Sequence, residues 1–282
     1  MNTLRNAQSF IELGGRERAR MVLDPGGQRE LLGPFDRLMS PWLARQGIVP
    51  QSDDGVVIVK GTLDGHAAVV LAVESGFQGG SIGEVSGAKI AGTLELALRD
   101  CEAGRPVWPI LLLETGGVRL QEANLGLAAI AEIQSAIIAL RRHVPVVGVV
   151  AGLVGCFGGM SLVAALCSRL VLTRQARLGM NGPEVIEQEA GSEEFDARDR
   201  RLIWSLIGGE QRCAIGLADR LVDDDAAQVR SAVLQACTEA RSGPARSESV
   251  AAYQDRIEGA ASLENLDGPG LRVLWSPQVQ QP

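Results

Sequence analysis

An α/β fold assembled from strand–helix crossover units is the architecture that this sequence predicts, on three observations. Short continuous apolar runs, the texture of strands covered on both faces, occur at residues 110–113 and in "PVVGVVA". Each is followed by two adjacent glycines, Gly116-Gly117 and Gly158-Gly159. Each pair then leads into a segment of helical periodicity. The order strand, glycine loop, helix therefore repeats, which argues for a sheet built by crossovers.

Taken in order, residues 1–50 read as an N-terminal helical arm. "GGRERARMVL" is a helix candidate, "DPGGQ" a turn, and Pro34 and Pro41 break "GPFDRLMSPWLARQG". From Gly55 the texture becomes β-rich. "GVVIVKGTLDGHAAVVLAVE" holds two strands joined by Asp64-Gly65, a strong hairpin dipeptide, with His66 beside the turn. The glycine-rich "SGFQGGSIGEVSG" leads into a helix expected from about residue 86 to 100. After the strand that ends at Glu114, the residues Ala123, Leu127, Ile130, Ile133, Ile137 and Leu140 make the apolar stripe of a helix running to His143. Pro145 opens the next strand, which passes through "GLVGCFGG" into "MSLVAALCSR". "LVLTRQARLGMNGPEVIEQ" is a strand and a loop, with Pro183 at a helix start. Residues 196–241 read as mainly helical, with a short strand in "GLADRLVDDD". From Ser242 the chain is polar and patternless, a loose or docking tail. These changes of texture divide the chain into the arm, a core at 51–241 and a tail at 242–282.

With 282 residues, 46% of them hydrophobic, the chain can bury a large core. Its formal net charge of −7 argues against a nucleic-acid surface, which needs clustered positive charge. Five cysteines without C-x-x-C spacing speak against both a disulfide framework and a zinc site, so no metal is expected. The N-terminus lacks a signal-type apolar core, and no run suggests a membrane span. A cytoplasmic protein is expected, with no membrane partner. Only Lys60 and Lys89 are lysines, and Lys89 lies in the glycine-rich segment where it could meet an anion.

Two readings fit each glycine pair. One is a strand-to-helix turn that needs positive φ. In the other, bare backbone lets a substrate oxygen reach N–H groups at a helix start. Because the pair recurs in the same setting, two loops from adjacent strands could aim N–H groups at one point, the geometry of an oxyanion hole. Gly116, Gly117, Gly158 and Gly159 are then the candidate catalytic positions. Nucleophile arrangements are missing. "VGCFG" has Val154 where G-x-S-x-G requires glycine, which leaves Cys156 with weak support. His66 sits at a turn and His143 in a last helical turn, so a Ser-His-Asp triad is not expected. Ser161 reads as a small polar helix residue, Glu114 as either structural or a ligand of the loop backbone, and Glu122 as a dipole partner in a first helical turn.

Four segments, "GFQGGSIGEVSGAKI", "ETGGVRLQE", "FGGMSL" and "GMNGPEVIEQ", occur in the order of the hallmark motifs of the acyl-CoA carboxyltransferases. The chain resembles that family over roughly residues 10–220. The resemblance implies a crotonase-like spiral of ββα units, a thioester carbonyl held by main-chain N–H groups, and an active site shared with a homologous second carboxyltransferase subunit in a heterodimer. It matches "GGSIGEVSGAK" to the loop near a coenzyme-A-like arm, which makes Gly79, Gly80, Ser81 and Lys89 candidate contacts, with Arg119 the next. "SPWLARQGIVPQSDDGVVIVKGTLDG" resembles the members that decarboxylate malonyl thioesters. The activity implied is conversion of a malonyl thioester on an acyl carrier protein to the acetyl thioester through an enolate. No cofactor would be bound covalently, the coenzyme-A-like prosthetic group being supplied by the acyl carrier protein. Thr115 and Val118 stand where bacterial acetyl-CoA carboxyltransferase β subunits typically have serine and alanine, and their four-cysteine zinc ribbon is missing. The alternative is the β subunit of a biotin-dependent acyl-CoA carboxyltransferase, with biotin on another chain.

Overall fold

Seven strands form one sheet in sequential order: β1 (Arg29–Leu31), β2 (Val56–Leu63), β3 (His66–Val73), β4 (Trp108–Leu112), β5 (Val147–Val150), β6 (Arg169–Thr173) and β7 (Arg220–Val222). The computed structural model describes residues 8–240, 243–260 and 266–275, and the rest of the arm and tail lies outside the described residues. β1, β2 and β3 pair antiparallel, whereas β3 to β7 are parallel. Asp64 and Gly65, at φ 52° and 76°, make the expected two-residue hairpin, since a turn with two positive φ angles matches the strand twist.

Both faces of the sheet are covered, which is why its strands are continuous apolar runs. Val57, Val70, Ile110, Leu112, Val149 and Val171 face α1 (Gly15–Val22) and α8 (Ala226–Thr238). Their neighbours Ile58, Leu71, Leu111, Val150 and Leu172 face α2 (Glu84–Glu102), α3 (Asn124–Leu140) and α4 (Gly159–Leu166).

After each of β3, β4, β5 and β6 the chain adds a second, shorter β segment before its helix. Ile82 bridges Val118, Thr115 bridges Cys156, and Cys156 bridges Leu178, all in parallel. Each repeat is thus two β segments and a helix, the ββα unit that the resemblance implied. This row of bridges, rather than the main sheet, carries the two glycine pairs.

Two local expectations change. Ala123 caps α3 with φ 51° instead of lying on its stripe, and Leu127 is 55% exposed, because the first turn of α3 projects beyond the core that buries Ile130, Ile133, Ile137 and Leu140. The tail is not patternless in space. It contains α9 (Val250–Glu258) and α10 (Gly268–Trp275). α10 packs on α6 (Arg200–Ile207) and α7 (Gly209–Ala214), where the Gln211 amide donates to the Gly268 carbonyl at 2.9 Å. α5 (Pro183–Ala190) starts at the proline, as the sequence requires. Among the described residues, no helix is long and apolar enough to cross a membrane.

Candidate active site

The two glycine pairs touch. Thr115 N–H donates to Gly155 O at 2.8 Å and Phe157 N–H to Thr115 O at 3.0 Å, which lays the two loops side by side. Gly117 has φ 105° and Gly158 φ 59°, so the turn reading holds at both. Close approach holds as well. A Cβ on Gly117 would lie 3.0 Å from Phe157 O and 3.1 Å from Gly158 Cα, and one on Gly158 would lie 3.2 Å from Gly117 Cα.

Which N–H groups remain free at this junction differs from the expectation. Gly116 N–H donates to Gly79 O at 3.0 Å, Gly117 N–H to Thr115 Oγ1 at 3.0 Å and Gly158 N–H to Met180 O at 2.7 Å. Three of the four expected donors are therefore committed inside the protein. Among the described residues, neither the Gly159 nor the Val118 N–H has an acceptor. Gly159 is the first residue of α4, whose leading N–H groups have no intrahelical partner. At Val118 the parallel bridge is the reason. Ile82 takes the flanking groups, with Ile82 N–H donating to Gly117 O at 2.8 Å and Arg119 N–H to Ile82 O at 2.9 Å, and this turns the Val118 N–H the other way. That direction is toward Gly158, whose added Cβ would come within 3.8 Å of Val118 N. Sequence reasoning missed Val118, since a backbone donor leaves no mark on residue type.

The second loop is held by Glu114. Its carboxylate accepts the N–H groups of Ala151 and Gly152 at 3.0 and 2.6 Å, and those of Val154 and Gly155 at 3.1 and 3.4 Å. Glu114 is thus a ligand of loop backbone. Cys156 is fully buried, and burial, with Glu114 and Cys167 nearby, pushes its thiol well above the ordinary range, so it is no thiolate nucleophile. Ser161 Oγ donates to Gly158 O at 2.7 Å, a helical back-bond. His66 stacks on Trp108 with ring centroids 4.4 Å apart, at the hairpin end of the sheet. Among the described residues no group of three or more His, Cys, Asp or Glu side chains is placed to hold a metal ion. What the junction offers is two orphan N–H donors, one of them at a helix N-terminus, an arrangement that can stabilise a developing oxyanion without a nucleophile.

The carboxyl transferase domain family matches residues 13–259. The chain belongs to that family. It is 42% identical over 241 residues to the malonyl-S-ACP:biotin-protein carboxyltransferase MADC of Malonomonas rubra, which covers 81% of this chain and 76% of that protein. Among solved structures it superposes on a chain of a Pseudomonas malonate decarboxylase hetero-tetramer in complex with malonate, with TM-score 0.94 and 59% identity over 96% of this chain and 99% of that one. It also superposes on a chain of a Pseudomonas malonate decarboxylase hetero-dimer, with TM-score 0.75 and 53% identity over 89% and 97%. The fold class is that of the crotonase-like carboxyltransferases, in agreement with the sequence reading.

In this member of the family the residues expected at a coenzyme-A-like arm fall into two groups. Gly79, Gly80 and Ser81 lie against the first glycine pair, with Gly79 O accepting from Gly116 and open space where a Gly79 side chain would stand. Lys89 and Arg119 are corrected. Lys89 is buried, and its ammonium donates to Asp53 O at 2.7 Å and Val56 O at 2.6 Å, so it does not face a phosphate. Burial pulls its pKa below the ordinary value. Arg119 is 1% exposed and paired with Asp54 and Glu122. Glu122 does serve a helix terminus, although not that of α3. Its carboxylate accepts the N–H of Glu84, the first residue of α2, at 2.7 Å. Replacing Lys89 with alanine is expected to cost about 1–3 kcal/mol of stability, because the buried carbonyls of Asp53 and Val56 lose a charged donor, and to leave the KM for a thioester unchanged. Denaturant unfolding and steady-state kinetics check this. A raised KM at wild-type stability would restore Lys89 as a ligand contact.

Three apolar side chains in the loops that build the junction are exposed. Leu120, Leu153 and Met180 are 83%, 63% and 52% exposed. Leu120 follows the Val118 loop, Leu153 lies in the loop held by Glu114, and Met180 supplies the carbonyl that takes the Gly158 N–H. Exposed apolar side chains gathered in the loops of a site form an apolar rim of the kind that a partner covers.

Proposed function

We propose that this chain is the β subunit of a malonate decarboxylase, supplying the half-site that binds a malonyl thioester on an acyl carrier protein. The observation that carries the reading is that the Val118 and Gly159 N–H groups are both left without an acceptor where the glycine pairs touch. The thioester carbonyl oxygen accepts from both. As the bond between the α-carbon and the carboxylate breaks, its electron pair forms the enolate double bond, negative charge moves onto the oxygen, and CO₂ leaves. The α-carbon then takes a proton, giving the acetyl thioester. No base is needed to create the carbanion, which suits a site without histidine. Each donor contributes on the order of 3–4 kcal/mol to the transition state, and the N-terminus of α4 adds its dipole. The carrier arm approaches along Gly79, Gly80 and Ser81. A homologous γ subunit covers the apolar rim and brings the proton donor, which accounts for the lack of a candidate near the glycines here.

The identity to the Pseudomonas decarboxylase chain over nearly the whole of both chains supports release of CO₂ over its transfer to biotin. The name of the Malonomonas protein supports the other fate, and one experiment separates them. CO₂ release from a malonyl thioester is measured for the chain alone, with the homologous subunit, and with that subunit plus avidin. The expected result is little release alone and full turnover in the complex whether or not avidin is present. Full turnover by the chain alone would remove the shared site. Inhibition by avidin would assign the carboxyl group to a biotin carrier.

A further inference from the structure

Among the described residues Arg119 is the largest side chain with less than 2% exposure, and its contacts have a direction. Nη1 donates to both Asp54 carboxylate oxygens at 2.9 and 3.0 Å and to Glu122 Oε1 at 2.9 Å. Nη2 donates to Ser81 O at 3.0 Å. The guanidinium lies over Phe77 at 5.1 Å, and Nε has no acceptor among the described residues. The carboxylates are themselves tied to α2, Asp54 accepting Ser86 N–H at 2.8 Å and Glu122 accepting Glu84 N–H. A buried charged triad with one donor unsatisfied is a poor device for stability alone, since well-packed apolar residues commonly do as well.

The bonds beyond Nη2 explain its place. Ser81 C=O and Ile82 N–H belong to one peptide plane, and Gly117 C=O and Val118 N–H to another. Nη2 fixes the first plane through Ser81 O. The first fixes the second through the 2.8 Å bond from Ile82 N–H to Gly117 O. In a trans peptide the N–H points opposite to the C=O, so the second plane ends in the Val118 N–H aimed at the glycine junction. Arg119 N–H, donating to Ile82 O at 2.9 Å, closes the same loop from the other side.

We propose that Arg119 is a positioning residue that sets the aim of the Val118 N–H through the Ser81 and Gly117 peptide groups in series. The inference rests on the oxyanion reading above. Asp54 and Glu122 hold the guanidinium so that Nη2 reaches Ser81, and a shift at Arg119 is passed to the donor without any group contacting substrate being changed.

The test uses the assembled complex and three variants, each assayed per folded complex at a temperature where circular dichroism shows it folded. Arg119→Lys keeps the charge but lacks the planar fork, and Asp54→Asn loosens the fork while leaving Arg119 in place. Both are expected to lower kcat by roughly 10- to 10²-fold with KM for the malonyl thioester within about threefold, the pattern for misplacement of a group that acts in the transition state. A purely structural role predicts a lower unfolding midpoint with wild-type kcat per folded complex. That result in either variant would overturn the proposal. Gly159→Pro, which deletes the other donor, separates the two levels. Its loss of turnover together with wild-type kcat in Arg119→Lys would sink the positioning role alone, whereas retained turnover in Gly159→Pro would remove the oxyanion reading and this proposal with it.

Discussion

Gly159→Pro is expected to lower the kcat of the assembled enzyme by roughly 10²–10³-fold, the magnitude for losing one oxyanion donor, while the fold persists. Gly159 is the first residue of α4, the helical position that tolerates proline best, because its N–H has no intrahelical acceptor and its φ is already suited to the ring. The substitution therefore removes one donor at little structural cost. The nearest obstruction is the Ile130 side chain, whose Cγ2 would lie 3.1 Å from the new Cβ and which must move by a few tenths of an ångström. Gly159→Ala meets the same side chain and keeps the N–H, so it serves as the steric control and should stay close to wild-type turnover. The comparison is made by kcat in the complex and thermal melts of both variants. Equal turnover in the two would return the second glycine pair to a plain turn. Gly117→Val is a weaker probe. Gly117 has φ 105°, its Cβ would crowd Phe157 O, and its N–H already donates to Thr115, so activity lost there would report the fold.

The largest effect on stability is expected at Glu114. Its carboxylate receives four N–H groups of the loop that precedes the second glycine pair. Glu114→Ala leaves them buried without an acceptor at about 1–3 kcal/mol each, a sum comparable with the roughly 5–15 kcal/mol that separates most domains from unfolding. Little folded protein is expected. Glu114→Gln preserves shape but points an NH₂ group at two of the donors, and about 2–4 kcal/mol should be lost. Its turnover should fall as well, because the same loop delivers Phe157, Gly158 and Gly159 to the junction. Denaturant unfolding of Glu114→Gln decides the matter. A wild-type midpoint would mean that the loop is held by something other than this carboxylate.

Much of the architecture was legible because it rests on neighbours in sequence. The Asp64-Gly65 hairpin, the apolar runs of β4 and β5, and the proline that opens α5 each follow from local conformational preference or from burial on both faces. That part of the tail docks agrees with the reading, but its helices α9 and α10 went unseen because they are short and the few groups that dock α10, such as Gln211 against the Gly268 carbonyl, are not contiguous in the chain. Leu127 looked like core because periodicity gives the apolar face of a helix but not where the core beneath it ends. Lys89 looked like a phosphate contact, being a cation at a glycine-rich helix start. Its partners are carbonyls of Asp53 and Val56, more than thirty residues earlier, which no local pattern announces.

By itself, the sequence determined the order of strand, glycine loop and helix, and the two places where bare backbone meets a helix start. Both follow from short-range properties, the apolar content of each run and the conformational freedom of glycine. Only the tertiary structure decided which N–H groups are left for a substrate. Acceptors claim three of the candidates, the distant Gly79 O taking Gly116 and Met180 O taking Gly158, and the nearby Thr115 Oγ1 taking Gly117, while the bridge to Ile82 turns the Val118 N–H toward the glycine junction. The physical reason is that every backbone amide carries the same donor, so its availability depends on which acceptor the fold brings within 3 Å of it.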